Sequence, residues 1–169
     1  MLCFSYKYSS ITTFKTIVSQ LLNNIEYRKD LYMKPKVLLF NFNDRERSIK
    51  TTAALMPLGL RIIKIKKEDY LQPIGYLAGK EDIEPRDEIY TGEELDDEML
   101  VMVNLSGKQI DGLIMGLKKT GVGRINYKAV LTETNQHWTT RELYDELKEE
   151  HEMIKNQPVR KKIESVHEQ

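Results

Sequence analysis

The chain has 169 residues, 26 basic and 26 acidic side chains, 40% apolar residues and one cysteine, Cys3. That is long enough for one domain with a proper core, and zero net charge argues against a dedicated nucleic-acid partner, which normally carries a basic excess. A single cysteine excludes an internal disulfide framework and a cysteine-based zinc site and suits a reducing cytosol, while no apolar run approaches the ~20 residues that cross a bilayer.

Residues 1–32 differ from the rest. They contain no Gly, Pro or Ala, and six of the 32 are Phe or Tyr. Arg28-Lys29-Asp30 can be encoded by a purine-rich stretch resembling a bacterial ribosome-binding site, a short spacer before Met33. The expectation is that Met33 is the natural start and 1–32 an over-called leader without a signal-peptide pattern. The competing reading is a helix, because Ile11, Phe14, Ile17, Val18, Leu21, Leu22 and Ile25 recur at helical spacing.

From Met33 the pattern alternates between strand and helix. Lys36–Phe42 is a short continuous apolar run, as in a strand buried on both faces. A helix follows from Asp44 to Leu58, with Ile49, Ala53 and Met56 inward and Gly59 closing it. Arg61–Lys66 is the second strand. Asp69 is placed to cap a short helix through Ala78 whose inner face is Tyr70, Leu71, Ile74, Leu77 and Ala78, with Pro73 tolerated near its first turn. Residues 81–98 hold ten acids and one base, the composition of an exposed, partly mobile connector.

Met99–Leu105 is a third apolar strand. Ser106-x-x-Gln109 makes a capping box, with Leu105 and Ile110 as a staple pair. The helix that follows buries Ile110, Leu113, Ile114 and Leu117 and stops at Gly121. Arg124–Leu131 alternates Ile125, Tyr127, Ala129 and Leu131 on one face, like an edge strand. Thr139-x-x-Glu142 is a second capping box, with Trp138 and Leu143 as its staple and Leu143, Leu147 and Ile154 facing inward. The chain thus divides into a leader (1–32), a single α/β domain (33–155) and a charged tail (156–169). An offset of 63 weakly superimposes Val37–Asn43 on Leu100–Ser106 and Arg61-Ile62 on Arg124-Ile125, which suggests a duplication.

Two architectures fit. The preferred one is a small open, mostly parallel four-stranded sheet of order 2-1-3-4 with helices on both faces. The alternative is a ferredoxin-like βαβ-βαβ sheet with its helices on one side. Fully apolar central strands call for cover on both faces, and the long connector before the third strand exceeds the turn a ferredoxin-like form needs.

Lys128-Ala-Val-Leu-Thr132-x-Thr134-Asn135-x-x-Trp138, then Glu142-Leu143 and Glu146-Leu147, together with Gln72-Pro-Ile-Gly-Tyr-Leu-Ala-Gly79, carry a resemblance. They look like a bacterial family classed only as a domain of unknown function, number 3783 in that series. The resemblance covers most of the chain from Met33 to about Lys155 and implies a bacterial, cytosolic domain. It implies no reaction, cofactor or catalytic residue.

In an open α/β sheet, ligands bind beyond the carboxyl ends of the strands where the order reverses. That rule selects Asn41, Asn43 and Asp44 after the first strand and Asn104, Ser106, Gly107 and Lys108 after the third. Thr132, Thr134 and Asn135 follow the fourth, and Tyr70, Gln72 and Tyr76 the second. Helix N-termini with amides, hydroxyls and cations suit a small anionic or nucleotide-like ligand. The plainer reading is equally physical: Asn43 or Asp44, and Ser106, as N-caps, Trp138 as a staple, Thr132 to Asn135 as loop residues bonded to their own backbone, and Gly112 and Gly116 as points of close helix approach. Lys108 lacks a phosphate-loop sequence, and His137, His151 and His167 lack metal spacing. The acids of 81–98 lack the ordered spacing of a calcium loop. Catalytic residues, cofactor and metal thus stay unassigned. The sequence favours a non-catalytic ligand-binding or sensory module over a protein-interaction module that uses the acidic connector or the glycine-bearing helix. An enzyme of unrecognised type, for instance one pairing Asp44 with Lys108, comes third.

Overall fold

The computed structural model describes residues 33–156. The expectations for Cys3, the leader and its helix, and for the charged tail beyond Asn156, lie outside the described residues.

Strands β1 (Lys36–Phe40), β2 (Arg61–Lys64), β3 (Met99–Val103) and β4 (Tyr127–Val130) form one open sheet of order β2-β1-β3-β4. The order matches the sequence expectation, and two of the three pairs, β1·β2 and β3·β4, are parallel. The central pair, β1·β3, is antiparallel, with Lys36 opposite Val103 and Phe40 opposite Met99. All ten residues of the two central strands are buried; nine are apolar, and the tenth, Lys36, donates from Nζ to Ala78 O. The edge strands are only four residues long and carry exposed Arg61, Lys64 and Val130.

Helices α1 (Arg45–Leu55) and α3 (Gly107–Lys119) cover one face of the sheet. Val37, Leu39, Leu100 and Met102 meet Ala54, Leu55, Leu113 and Leu117 there. Helices α2 (Ile74–Leu77) and α4 (Thr140–Asn156) serve the other face, where Leu38, Phe40, Met99, Val101 and Val103 pack against Tyr70, Ile74, Leu143 and Tyr144. Cover on both faces excludes the ferredoxin-like alternative.

Several inward faces differ from the periodicity. On α1 the buried residues are Ser48, Thr51, Ala54 and Leu55, while Ile49 and Met56 are 59% and 69% exposed and Ala53 is exposed. Small Thr51 and Ala54 let α1 lie close to the sheet and to α3, which bulkier residues on that face would prevent. A 3-10 turn over Met56–Leu58 precedes Gly59, whose φ of +65° closes the segment as expected. The helix expected after Asp69 is split. Lys67–Asp69 is a 3-10 turn, and α2 starts only after Pro73, which fixes an extended-to-helix corner. Ile114 and Ile154 are also turned outward, 40% and 70% exposed, because α3 presents only Leu113 and Leu117 fully to the sheet and α4 runs on past it. Ile125 precedes β4 and packs on the α1–α3 face, opposite Tyr127.

Both capping boxes form. On α3, Ser106 Oγ accepts from Gln109 N–H, and the Gln109 side chain accepts from Ser106 N–H at 2.9 Å. On α4, Glu142 Oε2 accepts from Thr139 N–H at 2.7 Å and Thr139 Oγ1 from Glu142 N–H at 3.2 Å. The acidic connector is pinned rather than loose. Ile83 and Leu95 are buried, and the Gln72 side chain bonds both the N–H and the C=O of Arg86, at 2.8 and 2.6 Å. Glu98 holds Arg47, and Asp96 pairs with Lys148 at 2.8 Å.

Candidate functional site

The antiparallel central pair divides the ten predicted site residues into two groups. Asn41, Asn43 and Asp44 leave β1 at the end where β3 begins. Asn104, Ser106, Gly107 and Lys108 leave β3 at the end where β1 begins, and Thr132, Thr134 and Asn135 follow β4 on that same end, because β4 runs parallel to β3. The two groups are separated by the length of five-residue strands, roughly 16 Å at the usual rise. An acid–base pair of Asp44 and Lys108 is therefore excluded. The sequence rule assumed that β1 and β3 point the same way, and they do not.

Most of these side chains are engaged within the protein. Asn41 has a φ of +58° and donates from Nδ2 to Leu95 O at 2.7 Å. Asn43 donates to Asn41 Oδ1 at 2.9 Å and to Glu94 at 3.2 Å, and Asp44 caps α1 by accepting from Arg47 N–H at 2.7 Å. At the other end Asn104, φ +54°, donates to Met33 O at 2.5 Å. Asn135 Oδ1 accepts from Thr132 N–H at 2.8 Å while Thr132 Oγ1 accepts from Asn135 N–H at 3.2 Å. Asn135 Nδ2 also donates to Val130 O at 3.0 Å. Gly107, Lys108 and Thr134 are exposed on this end.

Among the described residues are two concave features, the first of them beside Asn41. The first is a polar cleft of about 330 Å³ among Asn41, Arg47, Asp96, Asp97, Glu98, Arg124, Ile125 and Asn126. Arg47 closes it with a two-pronged bond to Glu98, 2.8 and 2.5 Å, and a third bond to Val122 O at 2.6 Å. The Glu98 bonds, and after them its charge, hold the Arg47 guanidinium above its ordinary value. Beside it the buried Tyr70 hydroxyl donates to Glu94 at 2.5 Å, and burial, reinforced by that carboxylate, pushes Tyr70 far above the ordinary tyrosine value. Glu94 and Glu98 were hidden in the acidic run, and nothing in their spacing points 51 residues back to Arg47.

The second feature is a groove of about 640 Å³ along β2, between Ile63, Ile65, Tyr76 and Leu77, with Lys64, Lys66, Glu68 and Asp69 at its lips. Only Tyr76 of the predicted rim borders it. Tyr70 and Gln72 face inward, to Glu94 and to Arg86. Among the described residues no three or more His, Cys, Asp or Glu side chains converge to hold a metal, and no helix is long and apolar enough to cross a membrane. His137 touches Gln136, and His151 lies edge-on to Tyr127, ring centres 5.9 Å apart.

Residues 98–154, from the start of β3 to near the end of α4, match a family described as Domain of unknown function (DUF3783). The matched stretch contains the Lys128–Trp138 run, whereas Gln72–Gly79 and the whole of β1–α2 fall outside it. No curated protein and no solved structure matches the chain.

Proposed function

We propose that the protein is a non-catalytic binding module whose contact surface is the β2 groove, and that its partner is an extended peptide segment of another protein. The observation that carries this reading is a groove with Ile63, Ile65, Tyr76 and Leu77 along its wall, beside a strand edge that no other described strand covers. Arg61 and Ile65 direct their N–H groups inward, to Pro35 O at 3.1 Å and Leu39 O at 2.9 Å. On a parallel strand the alternate residues, Ile62 and Lys64, therefore turn their peptide groups away from the sheet. A strand laid there gains backbone hydrogen bonds and seats alternate side chains against Ile63, Ile65 and Tyr76. Internal use of Asn41, Asn104, Ser106, Thr132 and Asn135 weighs against the anionic-ligand reading of the strand ends.

A displayed peptide library selected against the full chain, followed by amide-shift mapping of a selected peptide, tests this. The expected result is perturbation confined to residues 61–66 and 76–77, with Ile65→Asp weakening binding at least tenfold. The reading fails if selected peptides map elsewhere. It also fails if none is selected while a nucleotide or phosphorylated metabolite stabilises the protein. A ligand at 100 times its Kd contributes about 2.7 kcal/mol, a visible thermal shift.

A further inference from the structure

The two βαβ units meet along one line, and in every layer the residue on that line pairs with its own counterpart. In the sheet, Leu38 lies opposite Val101, 63 positions later. In the layer of α1 and α3, Ala54 meets Gly116, 62 positions later, so closely that a Cβ on Gly116 would sit 2.8 Å from Ala54 O. On the opposite face Pro73 bridges to Thr139, 66 positions later. Self-pairing of equivalent residues is the signature of a two-fold axis.

The surrounding devices are duplicated too. The left-handed Asn41 and Asn104 are counterparts, and each clasps the backbone leading into the other's strand, at Leu95 O and Met33 O. Asp44 and Ser106 cap α1 and α3, and the positive-φ Gly59 and Gly121 follow those helices. Beyond them the offset becomes 66 rather than 62, aligning Arg61–Lys64 with Tyr127–Val130, because the second unit has extra residues before β4. The sequence echo of Arg61-Ile62 with Arg124-Ile125 is therefore out of register with the strands.

We infer that residues 36–79 are a diverged second copy of the domain matched at 98–154, and that the binding partner of each copy is the other. The surface concerned is the first strand, the small-residue face of the first helix and the entry to the last helix. One copy alone leaves a strand as apolar as Met99–Val103 open along one edge. The chain is thus an internally fused two-fold dimer.

Two full-length rearrangements test this. In one, residues 36–79 are replaced by a second copy of 99–145; in the other, 99–145 are replaced by 36–79. The connector and Met33–Pro35 are kept in both. Their axis contacts become Val101 on Val101, Gly116 on Gly116 and Thr139 on Thr139, or Leu38, Ala54 and Pro73 on themselves. The expected result is that at least one unfolds cooperatively with wild-type secondary-structure content, either as a monomer or as a dimer paired across the same surface. If both lack a cooperative transition under conditions where wild type folds, the two halves are not equivalent and the inference is overturned.

Discussion

Asn41 combines two functions in one side chain: it tolerates a φ of +58° and donates to Leu95 O at 2.7 Å. A left-handed conformation costs an ordinary residue about 1 kcal/mol, and a net hydrogen bond contributes about 1 kcal/mol. Asn41→Ala should therefore lose about 2 kcal/mol in urea denaturation and Asn41→Gly about half as much, since glycine keeps the backbone and forfeits only the clasp. Equal losses would show that the side-chain bond carries the whole effect. Glu142 is a second residue-scale case. Hydrogen bonds from the Thr139 backbone, then from its hydroxyl, hold this carboxyl below its ordinary 4.5. A depressed folded-state value contributes stability above the unfolded value and loses it as pH falls through the folded one. Stability measured between pH 5 and pH 3 should fall less steeply in Glu142→Gln than in wild type. These capping residues were legible in sequence because a capping box is local, spanning four consecutive positions.

At the scale of elements, the two interior glycines of α3, Gly112 and Gly116, make a sharp contrast. Helix propensity alone makes either Gly→Ala favourable by about 1 kcal/mol. A Cβ at Gly112 would meet Leu58 Cδ2 at 2.7 Å, the mobile tip of a side chain. A Cβ at Gly116 would meet the Ala54 carbonyl at 2.8 Å, where α1 itself must move. Thermal denaturation should show Gly112→Ala within about 1 kcal/mol of wild type and Gly116→Ala destabilised by about 2 kcal/mol, the usual cost of overpacking. Sequence placed these glycines at a close helix approach without naming the neighbour. It misjudged this segment for a related reason: Ile49 and Met56 are apolar but exposed, whereas the face toward the sheet and α3 is made by Thr51, Ala54 and Leu55, so steric fit overrides hydrophobic periodicity.

At the scale of the molecule, each side of the sheet is built from both halves. Val37 and Leu55 share a core with Leu100 and Leu113, and Phe40 and Ile74 share one with Val101 and Leu143. Neither half has a core to retain when the other opens, so heat or urea should produce one transition, coincident by far-ultraviolet and near-ultraviolet dichroism. Two separated transitions would mean that the halves are independent. The β2 groove belongs to this scale too, since it joins Ile63 and Ile65 of an edge strand to Tyr76 and Leu77 of a different element.

The amino-acid sequence alone determined the four strands, the caps of α1, α3 and α4, the order 2-1-3-4 and the need for helices on both faces, because these follow from local hydrogen bonding and from how apolar each strand is. The tertiary structure alone decided the direction of β3 against β1. A buried strand is equally apolar whichever way it runs, and the 18-residue connector of residues 81–98 is long enough to return the chain to either end. That one direction separates the predicted rim into two ends, turns its asparagines into reciprocal clasps and creates the two-fold axis.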